Sequence, residues 1–429
     1  MEKRAGERRT RSEVIWGRVM GCALAVYILY GLYIYWYKLT FVIPEGINYW
    51  QFTEWLINYQ GGFVRRGLIG EGLWRLCDMT GAEPRYIVSL VSLGLYGSLF
   101  YYFFRKFREK HLCWWLLCST LMFGYVDYVI RKDFLLIWCY VACLLLLKEK
   151  DPAVWRRAGA GVLMVFCIFV HEAFLFFGVP LVMLLLADGR HRWLLLLTAS
   201  AVLGSFILMC VRHGSHDTVE AINGSWNILA GREEHPYNPE NAIGALDWET
   251  IPTFMLHLRR NTGYPYYFIS IFIRPLAMFL AYYIITFFPR AFRHPESRYD
   301  ERDRANIAAV FILLLVCMLP MWTVLSCDNL RMFQYVATCT VGAFLVLGQD
   351  RIRTAFPGGY MNFAVRLNRW TESRLPVSRG WMLLLFLCWF DGPGWYGDDI
   401  LDIGFEYSIF GRLSVLAGAA LQSILHWLV

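Results

Sequence analysis

Charge is what this chain has least of. Only 17% of its 429 residues are Asp, Glu, Lys or Arg, against 57% hydrophobic and 17% aromatic. That balance excludes a soluble globular protein, because the chain carries more apolar surface than a soluble core could bury. The phosphate-cradling glycine patterns are also missing: there is no GxxxxGK[ST] and no dinucleotide fingerprint, so cytoplasmic ATP use has no sequence support. Twelve cysteines are present without a CxxC or a Cys/His spacing of zinc type. Most of them, including Cys22, Cys113, Cys139, Cys143, Cys167 and Cys339, fall inside apolar runs and count as small apolar residues. Only Cys77 and Cys327 fall near polar connections on the outer side. No repeat of tens of residues stands out. No cleavable signal is expected either, since a basic arm precedes a first apolar run too long for a signal-peptide core.

What the chain does have is apolar runs of membrane-spanning length. Hydropathy places them at 17–42, 86–104, 112–129, 133–148, 157–170, 173–187, 193–211, 265–288, 306–326, 331–348, 381–391 and 407–428, or about twelve crossings of an all-α polytopic bundle. The short runs flanking His171-Glu172 could be two tilted helices meeting at that dipeptide, and the 381–391 run could be re-entrant. The chain then divides into an N-terminal transmembrane module (1–211, with a first outer loop at 43–85), a long outer loop (212–264) and C-terminal transmembrane helices (265–429).

Lysine and arginine set the orientation. The N-terminal arm, Arg105 to Lys110, Lys148 to Arg157, Arg190 to Arg192, Arg290 to Arg304 and Arg351 to Arg379 fall at alternate connections, which makes that face cytoplasmic, with both termini on it. The net charge of +7 is then topological, and no nucleic-acid partner is implied. The chain is expected to be an integral, multi-pass membrane protein.

The unusual polar residues gather on the other side. Pro44 ends the first span and Glu45 is the first carboxylate beyond it. From Tyr49 to Asn58, aromatic and polar residues alternate as in an interfacial helix lying on the outer leaflet. Gly61-Gly62 breaks it, and a second amphipathic element follows with Arg65, Arg66, Glu71 and Arg75. Glu71 and Arg75 are spaced for an i,i+4 pair. Tandem arginines on a non-cytoplasmic side oppose the positive-inside bias, and their forked donors suit a phosphate on a lipid.

Other outer connections add charge. Asp127, Arg131, Lys132 and Asp133 sit between two apolar runs, where ionisable groups face a cavity or a partner. The carboxylates could orient a substrate or bind a metal, and the cations could meet phosphate. They can equally be read as a solvated cap. His171-Glu172 ends a wholly apolar run and is either a buried hydrogen-bonded pair or a proton-handling, sugar-holding site. Asp328 is placed to N-cap the helix that follows, whereas Arg331 in its first turn opposes the helix dipole and needs an anion. The acidic group Asp391, Asp398, Asp399 and Asp402 reads as a Gly/Pro-rich exposed loop rather than a metal site.

These features together resemble the GT-C class of membrane glycosyltransferases, which use polyprenyl-phosphate-linked sugars on the outer side. The likeness covers the first six or so spans: Glu45 after the first helix, the amphipathic outer segment, Asp133-Phe134-Leu135-Leu136, and His171-Glu172. The Gly61-Gly62-Phe63-Val64-Arg65-Arg66-Gly67-Leu68 stretch is also similar to uncharacterised membrane proteins of bacterial surface-polysaccharide clusters. The chain departs from the GT-C pattern in having no Asp-x-Asp or Asp-Glu pair in the first outer segment and no large C-terminal soluble domain.

The resemblance implies transfer of a sugar from a polyprenyl-phosphate-linked donor to a glycan or lipid acceptor on the outer face of a bacterial inner membrane, in surface polysaccharide assembly. Glu45 stands first as base, with Glu54 or Asp127 next; Arg65, Arg66 and Arg331 would hold phosphate, and His171-Glu172 would orient sugar or acceptor. The resemblance fixes no cofactor and leaves a divalent cation open. A polymerase with a diphosphate-linked donor would need the same arginines. A proton-coupled transporter or lipid-linked-glycan flippase would use His171, Glu172 and Asp133 near the midplane.

Overall fold

The computed structural model describes residues 50–118, 121–124, 129–187, 191–230, 241–262, 265–292, 294, 296–326 and 328–388, with a few isolated positions outside them. Glu45 and Asp127, and the acidic cluster from Asp391 to Asp402, lie outside the described residues. The described chain is all-helical: α1 (Trp50–Leu56), α2 (Gly67–Thr80), α3 (Pro84–Glu109), α4 (Asp133–Leu146), α5 (Val154–Val170), α6 (Phe174–Phe177), α7 (Val179–Ala187) and α8 (Arg192–Val211) come first. They are followed by α9 (His216–Ala230), α10 (Thr250–Thr262), α11 (Pro265–Ala291), α12 (Glu301–Pro320), α13 (Asn329–Val346), α14 (Gln349–Ala355), α15 (Gly358–Arg374) and α16 (Arg379–Cys388).

Local chemistry sets many of the ends. Pro84 occupies the first turn of α3, where its missing N–H costs nothing, and Lys106 and Arg108 complement the dipole in the last turn. Asp300 and Asp303 form a reciprocal capping box at the start of α12. Asp328 caps α13 by accepting the Arg331 N–H, as its position in the sequence suggests.

Among the described residues, three helical stretches, Pro84–Glu109, Arg192–Val211 and Glu301–Leu325, are long and apolar enough to cross a membrane. A fourth is counted if Arg331–Val346 and Gln349–Ala355, bent by 119°, make one span. Their outward faces are apolar, with Leu90, Leu93 and Tyr101 on α3 and Leu196, Leu203 and Ile207 on α8 exposed, as lipid-facing surfaces are.

About twelve continuous spans are not what the described residues show. The 112–129 run is broken into 3₁₀ turns at Trp114–Cys118 and Met122–Gly124, and the 173–187 run splits at Gly178 into α6 and α7. The stretch from Arg212 to Tyr264, expected as a loop, contains α9 and α10.

Among the described residues, two apolar cores organise the bundle. The larger runs through α3 to α8 and α11 to α16, with α4 on α5, α5 on α8, α12 on α13 and α15, and α13 on α4. The smaller joins Phe52, Trp55, Leu56 and Ile57 to Leu73, Cys77, Ile130, Val219, Ile222, Trp226, Ile243 and Leu246. This second core corrects the picture of α1 lying on the leaflet: Phe52, Thr53, Glu54, Trp55 and Leu56 are all buried. The segment from Arg212 onward covers it, with Trp226 donating to the Leu56 carbonyl at 2.7 Å and Asn58 to Ser225 Oγ at 2.9 Å.

The glycines of the 61–70 stretch are explained by close approach. A Cβ on Gly61 would stand 2.6 Å from the Thr218 carbonyl oxygen, on Gly67 2.4 Å from the Tyr59 ring, and on Gly70 1.8 Å from the Ile57 carbonyl oxygen. Gly62 has φ +107°, in the region that glycine alone enters freely. Arg66, at φ +63°, takes the left-handed turn at the N-terminus of α2.

Gly70 and Gly72 on α2 therefore make a matched test. Nothing lies within 4 Å of a Cβ at Gly72, so Gly72→Ala should stabilise the fold by about 0.5–1 kcal/mol through helix propensity. Gly70→Ala should destabilise it by about 3 kcal/mol or more, because backbone rather than a side chain must move. Thermal melts of the detergent-solubilised variants read both.

Candidate functional site

The two cores meet at a cluster of ionisable side chains. Five segments supply it: α1 gives Glu54, the turn before α2 gives Arg66, the 131–133 turn gives Arg131, Lys132 and Asp133, and the end of α5 gives His171 and Glu172. The start of α13 adds Asp328 and Arg331. Glu54, Arg131, Lys132, Asp133, His171, Asp328 and Arg331 are all buried.

Backbone and aromatic contacts fix the segments before any charge is counted. The Ile130 carbonyl accepts from both Trp55 Nε1 and Ser92 Oγ, which ties α1 and α3 to the turn that carries Arg131. Lys132 Nζ donates to the Arg66 carbonyl at 3.1 Å, and Thr53 Oγ1 accepts the Ala242 N–H at 3.1 Å.

Glu54 is the centre. Its Oε1 lies 3.6 Å from Arg131 Nη1 and 3.5 Å from Arg331 Nη1, and it accepts Trp50 Nε1 at 3.1 Å. Burial alone would raise the Glu54 pKa, but Arg131 and Arg331 overcome it and hold the carboxyl down at about 2. Arg331 also meets Asp328 Oδ2 at 2.9 Å and Asp133 Oδ1 at 3.9 Å, and Arg131 comes within 3.9 Å of Asp328 Oδ2. The anions that Arg331 needs at an unfavourable helix end are thus protein carboxylates.

Arg66 and Arg65 part company. Arg66 grips Glu172 through both Nε, at 3.0 Å, and Nη2, the bidentate geometry of a strong ion pair. Arg65 turns towards the 241–247 segment, donating its Nη2 to the Ala245 carbonyl at 3.1 Å while its backbone N–H donates to Arg212 O at 2.8 Å. They do not make one joint fork. Glu71 pairs with the exposed Arg75 at 2.8 Å, a surface contact worth about 0.3–0.5 kcal/mol.

His171 is a neutral donor. Burial, with Arg66 beside it, holds its imidazole well below the ordinary histidine value. Its Nδ1 accepts the Ala173 N–H at 3.2 Å, which leaves the proton on Nε2, and Nε2 is buried without a hydrogen-bond partner among the described residues. Glu54 Oε2 and Asp133 Oδ2 likewise have no hydrogen-bond partner among the described residues. One spare donor beside two spare acceptors is the complement of hydroxyl groups, which both give and take hydrogen bonds.

Sequence reasoning missed Gln334 and Tyr335. Tyr335 donates to Asp133 Oδ1 and stacks on Phe177, and both polar atoms of the buried Gln334 amide lack hydrogen-bond partners among the described residues. The signal was present: Arg331, Gln334, Tyr335 and Thr338 fall at i, i+3, i+4 and i+7 of a largely apolar helix, a polar stripe along one face.

No family model matches the chain, and comparisons with curated proteins and with solved structures gave no match.

Lys132 offers a pH test of this burial. Burial lowers its pKa from 10.5 to about 7, against the pull of Glu54. Between about pH 7 and 10.5 the unfolded chain therefore binds more protons than the folded one, so this residue makes stability rise with pH, by up to about 1.4 kcal/mol per unit. Below about 7 both states are protonated and the contribution is flat. Denaturation of Lys132→Met against wild type should show that slope only in wild type; parallel curves across this window would place Lys132 in water.

Proposed function

We propose that the protein is a membrane glycosyltransferase of GT-C type, moving a sugar from a polyprenyl-phosphate donor to a glycan or lipid acceptor. The observation that carries this reading is the convergence of Glu54, Arg131, Asp133, His171 and Arg331 on one buried centre with hydroxyl-complementary atoms to spare. A buried charge cluster that served packing alone would be expensive, and an apolar set would be as stable or more so.

In this mechanism the donor phosphate competes with Glu54 for Arg131 and Arg331. Once those guanidiniums turn to the phosphate, the charge that suppresses Glu54 is shared, its pKa rises, and it becomes a competent base for the acceptor hydroxyl. The same arginines stabilise the charge that develops on the departing phosphate. His171 Nε2 and Asp133 Oδ2 orient sugar hydroxyls. The Arg66–Glu172 pair positions the 171–172 corner against α2, a structural duty that leaves Arg66 to act through Glu172 and the Lys132 contact.

A second reading rests on the charge balance. Arg66, Arg131 and Arg331 stand against Glu54, Asp133, Glu172 and Asp328, with Lys132 as a fourth basic group whose pKa burial brings down to about 7. A nearly balanced set with one member that changes charge around neutral pH also suits a proton-coupled carrier of lipid-linked glycan.

Radiolabelled polyprenyl-phosphate sugars presented to purified protein separate the two. Glu54→Gln should lower turnover by at least about a hundredfold, the range expected for loss of a general base, and Arg331→Ala by a similar factor. Turnover indifferent to both substitutions would remove the proposed centre. Proton-coupled glycan uptake into liposomes without turnover would establish the carrier instead.

A further inference from the structure

The opposite end of α3 carries a different set of side chains. His111 lies 19 residues beyond Ser92, about 28 Å at helical rise, in the turn that closes α3. There it meets His294 and Glu296 from the connection between α11 and α12. The three offer ligand atoms that all lie within 4.8 Å of one another. His111 Nδ1 is 3.3 Å from Glu296 Oε2, and His294 Nδ1 is 4.0 Å from the same oxygen.

We propose that His111, His294 and Glu296 form a binding site for a zinc-class divalent transition metal that clamps the end of α3 to the α11–α12 connection. Tetrahedral zinc with bonds of about 2.0–2.1 Å holds its ligand atoms roughly 3.3–3.4 Å apart. The His111–Glu296 pair is already at that spacing, and the remaining separations close by about 1.5 Å or less through side-chain rotation. Two imidazoles and one carboxylate make a donor set for zinc, nickel, cobalt or copper rather than for magnesium or calcium, which prefer oxygen alone. A water completes the fourth position. His294 Nδ1 accepts the Glu296 N–H at 3.3 Å, a long bond that the metal replaces.

The backbone supplies an independent reason. His111 has φ +52°, and its N–H donates to Arg108 O at 3.0 Å while the Leu112 N–H donates to Phe107 O at 2.9 Å. This is the left-handed helix stop at which glycine is the usual residue. An imidazole there imposes strain that glycine would avoid, and strain retained at a position points to a use for the side chain. The ring lies beside the His294 ring, with centroids 5.7 Å apart and planes 26° from parallel. The site is remote from Glu54, and its chemistry is independent of the glycosyltransferase reading.

Zinc titration of untagged, chelator-stripped protein in detergent, read by competition with a chromophoric chelator, tests the site. One equivalent should bind, and His111→Ala and His294→Ala should each weaken it at least tenfold. His111→Gly separates ligation from folding: it should raise the melting temperature of the metal-free protein, by relieving the left-handed strain, while abolishing the rise that zinc produces in wild type. Wild type with no saturable one-to-one site, or a His111→Ala/His294→Ala double variant that keeps wild-type affinity, would overturn the proposal.

Discussion

A carboxylate with 1% of its surface exposed survives only beside cations, and Glu54 has Arg131 and Arg331 within 3.6 Å. Much of the charged end of the molecule depends on that arrangement. Arg331 can sit in the first turn of α13, against the dipole, because Asp328, Asp133 and Glu54 offset it. Arg131 can be wholly buried because Glu54 and Asp328 face it. Removing one partner of such a set strands the others, at a cost of about 3–5 kcal/mol, so the residues are coupled in folding as well as in any chemistry.

The apolar parts exist in a form that holds this charge in place. Trp55 and Ser92 share the Ile130 carbonyl, so the turn bearing Arg131 cannot shift without α1 and α3. The glycines at 61, 67 and 70 let α2 and α9 press against the backbone that follows α1, which drives Glu54 inwards instead of leaving it at an interface. Packing density here serves electrostatic placement: a cluster of opposed charges is stable only where its members are held at fixed distances and cut off from water.

Much of this was legible in the sequence, residue by residue. The all-helical, membrane-type architecture followed from composition, the Glu71–Arg75 pair from i,i+4 spacing, and the Asp328 cap from its place before α13. That the 131–133 turn, His171-Glu172 and Arg331 turn to partners inside the protein followed from ionisable residues set among apolar runs. What could not be read was partnership. Nothing in the 61–70 stretch says that Arg66 turns to Glu172, 106 residues away, while Arg65 turns to Ala245. The twelve-span picture overreached at 112–129 because apolar content alone does not distinguish an α-helix from the 3₁₀ turns found there. Residues 212–264 were read as loop because α9 and α10 carry too many polar residues to register as spans, although α9 closes the second core.

The central claim is that Glu54 and a donor phosphate compete for the same two guanidiniums. Calorimetric binding of a short polyprenyl phosphate to wild type, Glu54→Gln and Arg331→Met tests it most directly. Competition predicts that Glu54→Gln binds the phosphate at least about tenfold more tightly, roughly 1.4 kcal/mol, while Arg331→Met binds it more weakly. If both substitutions weaken binding alike, or neither changes it, the phosphate does not meet these arginines and the account fails.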